Sequence, residues 1–410
     1  MKRSTQIILV ALSLSGCLRA ESLDLAGLLQ KAREHSEALG LAQASLDQVK
    51  ARRQAAFGDW LPQVALKTTE SFADKGNTDF QSPGARVNAR EDLLKGLDEP
   101  AAVAAADAAE AQAQADIAQA GQDLSKQVGN DYYDVLSLEE QWASEKAVLD
   151  SALGAAKDLK SRVALGRNRQ AEQSSAEAQV ARVQATLADL EGQRAQAREA
   201  LASLCGVPVD QGLTPLPDLA AAASAPSPSE ADLDKLPGLA SAREALKVAQ
   251  AQSLAAKGGF FPSLYAEGNY YAARQNGASG PAWDAVLGLD LPLFRSGATV
   301  ARLKLAQSQV AAAQLRLDLA RREAGREARQ AWQGLNQALN KAEANRLALD
   351  AAEKSYADQQ KDFRNSLVTS LDILTAFQAV ESARLDTLKA RYDTHRAQLR
   401  YRLAIGQTLP

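Results

Sequence analysis

The stretch AAKGGFFPSL, residues 255–264, decides how this chain folds. An alanine-rich run stops at Gly258 and Gly259 and gives way to two aromatics and a proline. AAFGDWLPQV at 55–64 has the same layout, with Gly58, Trp60 and Pro62 standing where Gly258, Phe260 and Pro262 stand. Glycine ends a helix cheaply, and proline is tolerated at the start of a strand. Each stretch therefore predicts a switch from helix to strand, and the pair predicts a duplication.

The duplication keeps a constant offset of 200. Leu39, Leu46, Leu93, Gln114, Leu149, Asp150, Asp158, Val180 and Gly206 recur as Leu239, Leu246, Leu293, Gln314, Leu349, Asp350, Asp358, Val380 and Gly406. A register held without a gap from 39 to 206 indicates one structural unit repeated in tandem. The divisions expected are a signal segment at 1–16, a first repeat at 17–206, a connecting segment at 207–236 and a second repeat at 237–410. Two units are too few to close a solenoid, so closure is expected to come from other chains.

Apolar spacing of three and four predicts helices over 25–57, 98–165, 169–204, 238–257, 298–364 and 370–405. At 1.5 Å per residue the 98–165 helix would extend on the order of 100 Å, far beyond the need of a compact domain. The two shorter helices of the first repeat, laid end to end, would pave it. The segment 207–238, rich in Pro, Ala and Ser, reads either as a belt or as a disordered connector.

Strands are expected around 60–72, 85–95 and 282–294. Trp283, Ala285, Leu287, Leu289, Leu291 and Leu293 alternate with Asp284, Gly288 and Asp290, and Trp60, Val64, Leu66 and Phe72 oppose Gln63, Lys67, Thr69 and Ser71. One apolar and one polar face suits a water-filled membrane barrel, though a soluble sheet packed on helices would alternate in the same way. The export signal and strand lengths near those that cross a bilayer favour the barrel. Glu91 is an exception, since it falls on the face that Leu291 occupies, where it would be tolerated near the periplasmic rim. Four strands cannot close a membrane barrel, because the smallest have eight.

The first residues carry Lys2 and Arg3, an apolar run from Ile7 to Leu14, and LSGC at 14–17. This is an export signal too short to span a bilayer. LSGC resembles the lipobox of bacterial lipoproteins, which would make Cys17 the acylated mature N-terminus; cleavage after Ala20 is the other reading. Leu18, by the same analogy, favours the outer membrane over the inner. Cys205 is the only other cysteine, so no disulfide framework exists.

Aromatics make up 5% of the 410 residues, formal charge is −3, and no block of Lys or Arg stands out, so no nucleic-acid surface is expected. Walker A, GxGxxG, CxxC and HExxH patterns are missing, and one methionine and two histidines argue against a dedicated metal path. His395 falls on a helix seam and reads as a packing residue. Neither catalytic residues nor cofactors are expected.

Taken together, LSGC, the doubled helix-hairpin-helix plan, GDWLPQV and GGFFPSL, LDLPLFRSGA, YYDVL, LASLCGVP and LAIGQTLP resemble the TolC-like outer-membrane efflux protein family. The resemblance implies a mainly α fold with a small β part. Long helical hairpins of a homotrimer would form an α-barrel continued into a shared twelve-stranded transmembrane β-barrel set in outer-membrane lipid, with Trp60, Phe260, Phe261 and Trp283 as barrel aromatics. It implies a passive exit duct of a tripartite efflux or type I secretion system, partnered by a periplasmic adaptor and an inner-membrane transporter. It places a periplasmic gate at Asp372, with Thr375 where the family carries a second acid, and adaptor contacts at Gly166, Arg167, Asn168, Asn365, Ser366 and Leu367. The carboxylate of Asp372 would equally serve the dipole of the helix it starts. The rival from another class is a periplasmic coiled-coil scaffold or pump adaptor, which would carry a single hairpin within a β-rich chain.

Overall fold

A computed structural model describes residues 24–69, 74–75, 78–79, 84–209, 212–214, 225–273, 281–365 and 367–407. The signal segment with Cys17, Phe72 and Ser366 lie outside the described residues. In chain order the elements are α1 (Leu25–His35), α2 (Glu37–Gly58), β1 (Gln63–Thr69), β2 (Asp74–Lys75), β3 (Thr78–Asp79), β4 (Gly84–Lys95), α3 (Asp98–Ala164) and α4 (Gln170–Cys205). They continue with α5 (Glu230–Leu233), α6 (Pro237–Gly258), β5 (Ser263–Ala273), β6 (Trp283–Asp290), α7 (Ala298–Arg364) and α8 (Ser370–Ala404).

The long helices appear where apolar spacing predicts them, and glycines stand at several of their starts and stops. Gly96, Gly166, Gly206, Gly297 and Gly406 all take positive φ, the region that costs glycine least. The expected 25–57 helix is in fact two. Ser36 leaves helical geometry and its Oγ accepts a hydrogen bond from the Leu39 N–H at 3.3 Å, capping α2. The break sets the His35 ring against Gly206, where an added Cβ would lie 2.3 Å from the ring.

The four main strands form an antiparallel sheet in the order β1-β4-β5-β6, with β2 and β3 a separate small pair. The repeat is visible in the register itself: Gln63 pairs with Arg90 in the first unit and Ser263 with Asp290 in the second. β6 ends at Asp290, short of the expected 294, because Pro292 has no N–H to give a ladder.

The helices follow the strands. Helix α6 packs on both α3 and α7, α2 packs on α3, α4 returns along α3 and α8 along α7. The order α2-α3-α6-α7 thus matches β1-β4-β5-β6, each helix running directly into or out of its strand. Gly258 explains the opening motif beyond its role as a stop: a Cβ there would lie 2.8 Å from the Leu97 nitrogen, and one on Gly96 2.5 Å from the Gly258 oxygen. The α6–β5 corner and the β4–α3 corner touch backbone to backbone, which only glycine permits.

The main core lies where α1, α3, α4 and α8 meet, around Leu28, Val128, Tyr132, Leu201, Cys205, Tyr392 and Leu399. The described parts of the connecting segment are bonded to the helices. Tyr132 Oη donates to the Thr214 carbonyl at 2.9 Å, Trp332 Nε1 to Ala225 at 2.8 Å and Tyr401 Oη to Pro226 at 2.6 Å. Among the described residues no helix is long and apolar enough to cross a membrane.

Candidate functional site

The sheet has two unlike faces. On one, Val64, Leu66, Val87, Tyr270, Trp283, Leu287 and Leu289 are exposed large hydrophobics, Leu287 and Leu289 each 69% exposed. On the other runs a polar ladder. Asn88 Nδ2 donates to Glu267 Oε1 and Asn269 Oδ1, both at 2.9 Å, and Asn269 Nδ2 donates to Asp284 Oδ1 at 2.9 Å. The Arg90 guanidinium lies 4.2 Å from the centre of the Tyr265 ring and 3.7 Å from the Glu267 carboxylate. Tyr265 in turn fits over Gly288, where a Cβ would come within 2.3 Å of the ring.

The predicted aromatics fall into two levels. Trp60, Phe260 and Phe261, each about half exposed, sit where helix becomes strand. Trp283 sits at the far end of the sheet, paired with Tyr270, an exposed aromatic that sequence reasoning did not single out. Glu91 pairs with Ala266, which pairs with Leu287, so it does share the apolar face. It lies four residues before β4 ends at Lys95, toward the helices.

The hairpin tips repeat one construction. Gly166 bends the first, and the Arg167 N–H donates to the Arg162 carbonyl at 2.9 Å; in the second the Leu367 N–H donates to the Asp362 carbonyl at 2.9 Å. Asn365 caps α7 through its N–H. Asn168 Nδ2 reaches Glu172 Oε2 at 2.6 Å, and Ser370 Oγ also donates to that oxygen, tying the two tips together. The Ser370 and Asn168 hydrogen bonds hold the Glu172 carboxyl below the usual glutamate range. Leu165 and Leu367 stand exposed at the tips.

Asp372 and Thr375 are both exposed on α8. Asp372 closes a capping box: its Oδ2 accepts from the Thr369 N–H at 2.9 Å and from the Thr369 hydroxyl at 2.7 Å. These bonds hold its carboxyl below the ordinary 3.8. Thr375 Oγ1 bonds back to the Leu371 carbonyl at 2.9 Å.

A buried polar cluster joins the two hairpins. Glu145 on α3 is 4% exposed and its Oε2 makes no hydrogen bond; neither does Glu381 Oε1 on α8. From α4, Gln179 Nε2 donates to Glu381 Oε2 at 3.0 Å, and Gln378 Nε2 donates to Gln179 Oε1 at 2.7 Å. Burial first, and then the charge of Glu145, push the Glu381 carboxyl up to about 7. The sequence hides this cluster, because both glutamates sit on helices rich in exposed charge.

His395 packs on Tyr133, ring centres 5.5 Å apart, as its seam position suggested, but its Nε2 has no hydrogen-bond partner. Cys205 is fully buried and burial pushes its thiol up to about 11, consistent with a packing role. Among the described residues no group of three His, Cys, Asp or Glu converges as a metal site would.

The geometry is that of a tall helical wall continued by an amphiphilic sheet. The family model of outer membrane efflux proteins matches residues 28–207 and again 230–407. The chain belongs to the outer membrane efflux protein family. No curated relative matches the sequence. Solved structures share the fold at low identity. CusC, described as undergoing conformational changes with folding and transmembrane channel formation, aligns with TM-score 0.87 at 18% identity, covering 94% of this chain and 92% of that one. VceC of Vibrio cholerae, an outer membrane protein, aligns with TM-score 0.82 at 20% identity over 93% and 96% of the two chains. The open-state MtrE outer membrane channel of Neisseria gonorrhoeae gives 0.81 at 21% identity over 93% and 89%. As an outer membrane efflux protein, the chain shares the fold of these channel structures.

Proposed function

We propose that three copies of this outer membrane efflux protein close their sheets into one twelve-stranded barrel through the outer membrane and their helices into a periplasmic tunnel. The duct passes substrates from an inner-membrane transporter to the exterior and takes no energy itself. The observation that carries this reading is the shared order of strands and helices, with β1 and β6 at the two edges of the sheet. A sheet with one oily face and two open edges satisfies its backbone in lipid only by closing on neighbours. Twelve strands lie within the range of membrane barrels, whereas four lie below it.

In this duct the polar ladder of Asn88, Glu267, Asn269 and Asp284 lines the water, and the Trp60, Phe260 and Phe261 level marks the periplasmic interface. The tips at Gly166, Arg167, Asn168, Asn365, Ser366 and Leu367 dock a periplasmic adaptor, with Leu165 and Leu367 as apolar anchors. Asp372 from three copies rings the closed end, and Thr375 adds no second charge, so the ring binds cations less strongly than a double one would. Acylated Cys17 tethers the mature chain, which comprises two repeats, 17–206 and 237–410, joined by the belt at 207–236. Purified protein is expected to run as a trimer and to conduct ions in planar bilayers. A monomer that washes off membranes and never conducts would instead indicate a periplasmic scaffold.

A further inference from the structure

The repeat carries a prediction about the seam between copies, and it rests on the trimeric reading above. Strands β1 and β4 pair in the same register as β5 and β6, shifted by 200 residues on both sides. The inner seam, β4 against β5, places Arg90 opposite Glu267, Glu91 opposite Ala266 and Ala89 opposite Gly268. At the open edges β6 holds the place of β4, and β1 that of β5. Adding 200 to each β4 residue and subtracting 200 from each β5 residue gives the outer seam. Asp290 then meets Lys67 of the next copy, Leu291 meets Leu66 and Leu289 meets Thr68.

The chemistry fits this register. Arg90 and Glu267 are oppositely charged, with the cation on β4; Asp290 and Lys67 are again opposite, with the sign reversed. Both Asp290 and Lys67 are exposed in the single chain. Opposite charges facing each other across an antiparallel ladder stabilise it, and like charges do the reverse. Leu291 against Leu66 keeps the apolar face apolar, where the inner seam carries Glu91 against Ala266.

The corners agree as well. Inside the chain Gly258 packs on the Gly96–Leu97 backbone, whereas Gly58, its counterpart, has open space within 4 Å. The counterpart of Gly96 is Ser296, whose φ of 50 is the one positive non-glycine φ among the described residues. Its neighbour Gly297 is also open. The second unit keeps the corner's backbone shape without an inner partner, as a surface meant for the next copy's Gly58 would.

We propose that the seam between copies pairs β6 with the next copy's β1 in this register, locked on the polar face by an ion pair between Asp290 and Lys67. The experiment is a charge reversal in the full-length protein, read as the temperature at which the unboiled oligomer dissociates in detergent gels. Lys67→Asp and Asp290→Lys should each lower that temperature, and Lys67→Asp with Asp290→Lys together should bring it back toward wild type. A double variant no better than the worse single one overturns the register, as do single variants that change nothing.

A second measurement covers the case in which the reversals fail to assemble. Lys67→Cys with Asp290→Cys should form covalent dimers and trimers on oxidation, since directly paired Cα atoms lie about 4.5–5.5 Å apart. Lys67→Cys with Gly288→Cys, displaced by two residues, should link far less. Equal linking in both, or none in the first, refutes the register. Wild-type protein that forms no oligomer in bilayers would remove the duct reading itself, a separate outcome.

Discussion

An arginine in place of Ala285 tests whether the apolar sheet face meets lipid. Ala285 pairs with Gly268, and Gly268 with Ala89, a row of small residues midway along the strands. The apolar band of such barrels is about 25 Å tall, so this row lies near its midplane. Among the described residues of the same chain, the nearest carboxylate on that face, Glu91, sits two strands away and one step along, about 12 Å from strand spacing and rise. The new guanidinium therefore has no carboxylate beside it among the described residues of its own chain. Its cost is about 2–4 kcal/mol per copy at the midplane, or about 6–12 kcal/mol over three copies, comparable to the whole stability of an ordinary domain.

Val286 is the control, since it adjoins Ala285 but lies on the polar face, opposite Glu267. Val286→Arg gains a counter-charge and should leave the oligomer intact. The assay is migration of unboiled membrane fractions together with urea unfolding from lipid vesicles. Loss in Ala285→Arg with retention in Val286→Arg is expected. Equal tolerance would show that the sheet is not in hydrocarbon, and the reverse result would turn the barrel inside out.

Four further outcomes follow from the packing. Gly206→Ala forces a side chain into φ +65 and against the His35 ring, and should cost at least about 1–2 kcal/mol in chemical denaturation; His35→Ala should recover only the contact part. Tyr401→Phe leaves the Pro226 carbonyl without its donor, so stability should fall by about 1 kcal/mol and hydrogen exchange in the belt after Pro226 should quicken. Glu381 holds its proton more tightly folded than unfolded, so the hairpin junction should lose stability as pH rises from the ordinary 4.5 to about 7 and stay level above that. Denaturation midpoints that keep this slope in Glu381→Gln would exclude Glu381 as its source. Asp372, with its carboxyl held below 3.8, keeps its charge until pH falls through that lowered value, so cation block of conductance should persist at pH 4 and weaken in Asp372→Asn.

Much of this architecture could be read in advance because its signals are local. Apolar spacing marked the long helices, and glycines at Gly166 and Gly206 marked their ends, since positive φ is a property of one residue. Alternation assigned both faces of β6, and the offset of 200 placed Glu91 of β4 on the apolar face. The features that escaped depend on partners far along the chain. Ser36 reads as an ordinary helix residue, and the break there, which sets His35 against Gly206, shows only in the fold. Tyr270 is an outward aromatic only in the register that β4 and β6 impose. Glu145 and Glu381 look like surface charges, and only the docking of one hairpin on the other buries them. Asp372 carries two readings at once, because a capping carboxylate and a pore carboxylate are the same exposed group.

The matched order of strands and helices also bears on biogenesis. Each hairpin can zip up from residues near in sequence, at a rate indifferent to how many molecules are present. In the proposed trimer the ladder edges have no such recourse: their hydrogen bonds wait on collision with sister molecules. Maturation should thus accelerate with expression level, and dilute chains should accumulate as helical half-products vulnerable to periplasmic proteases.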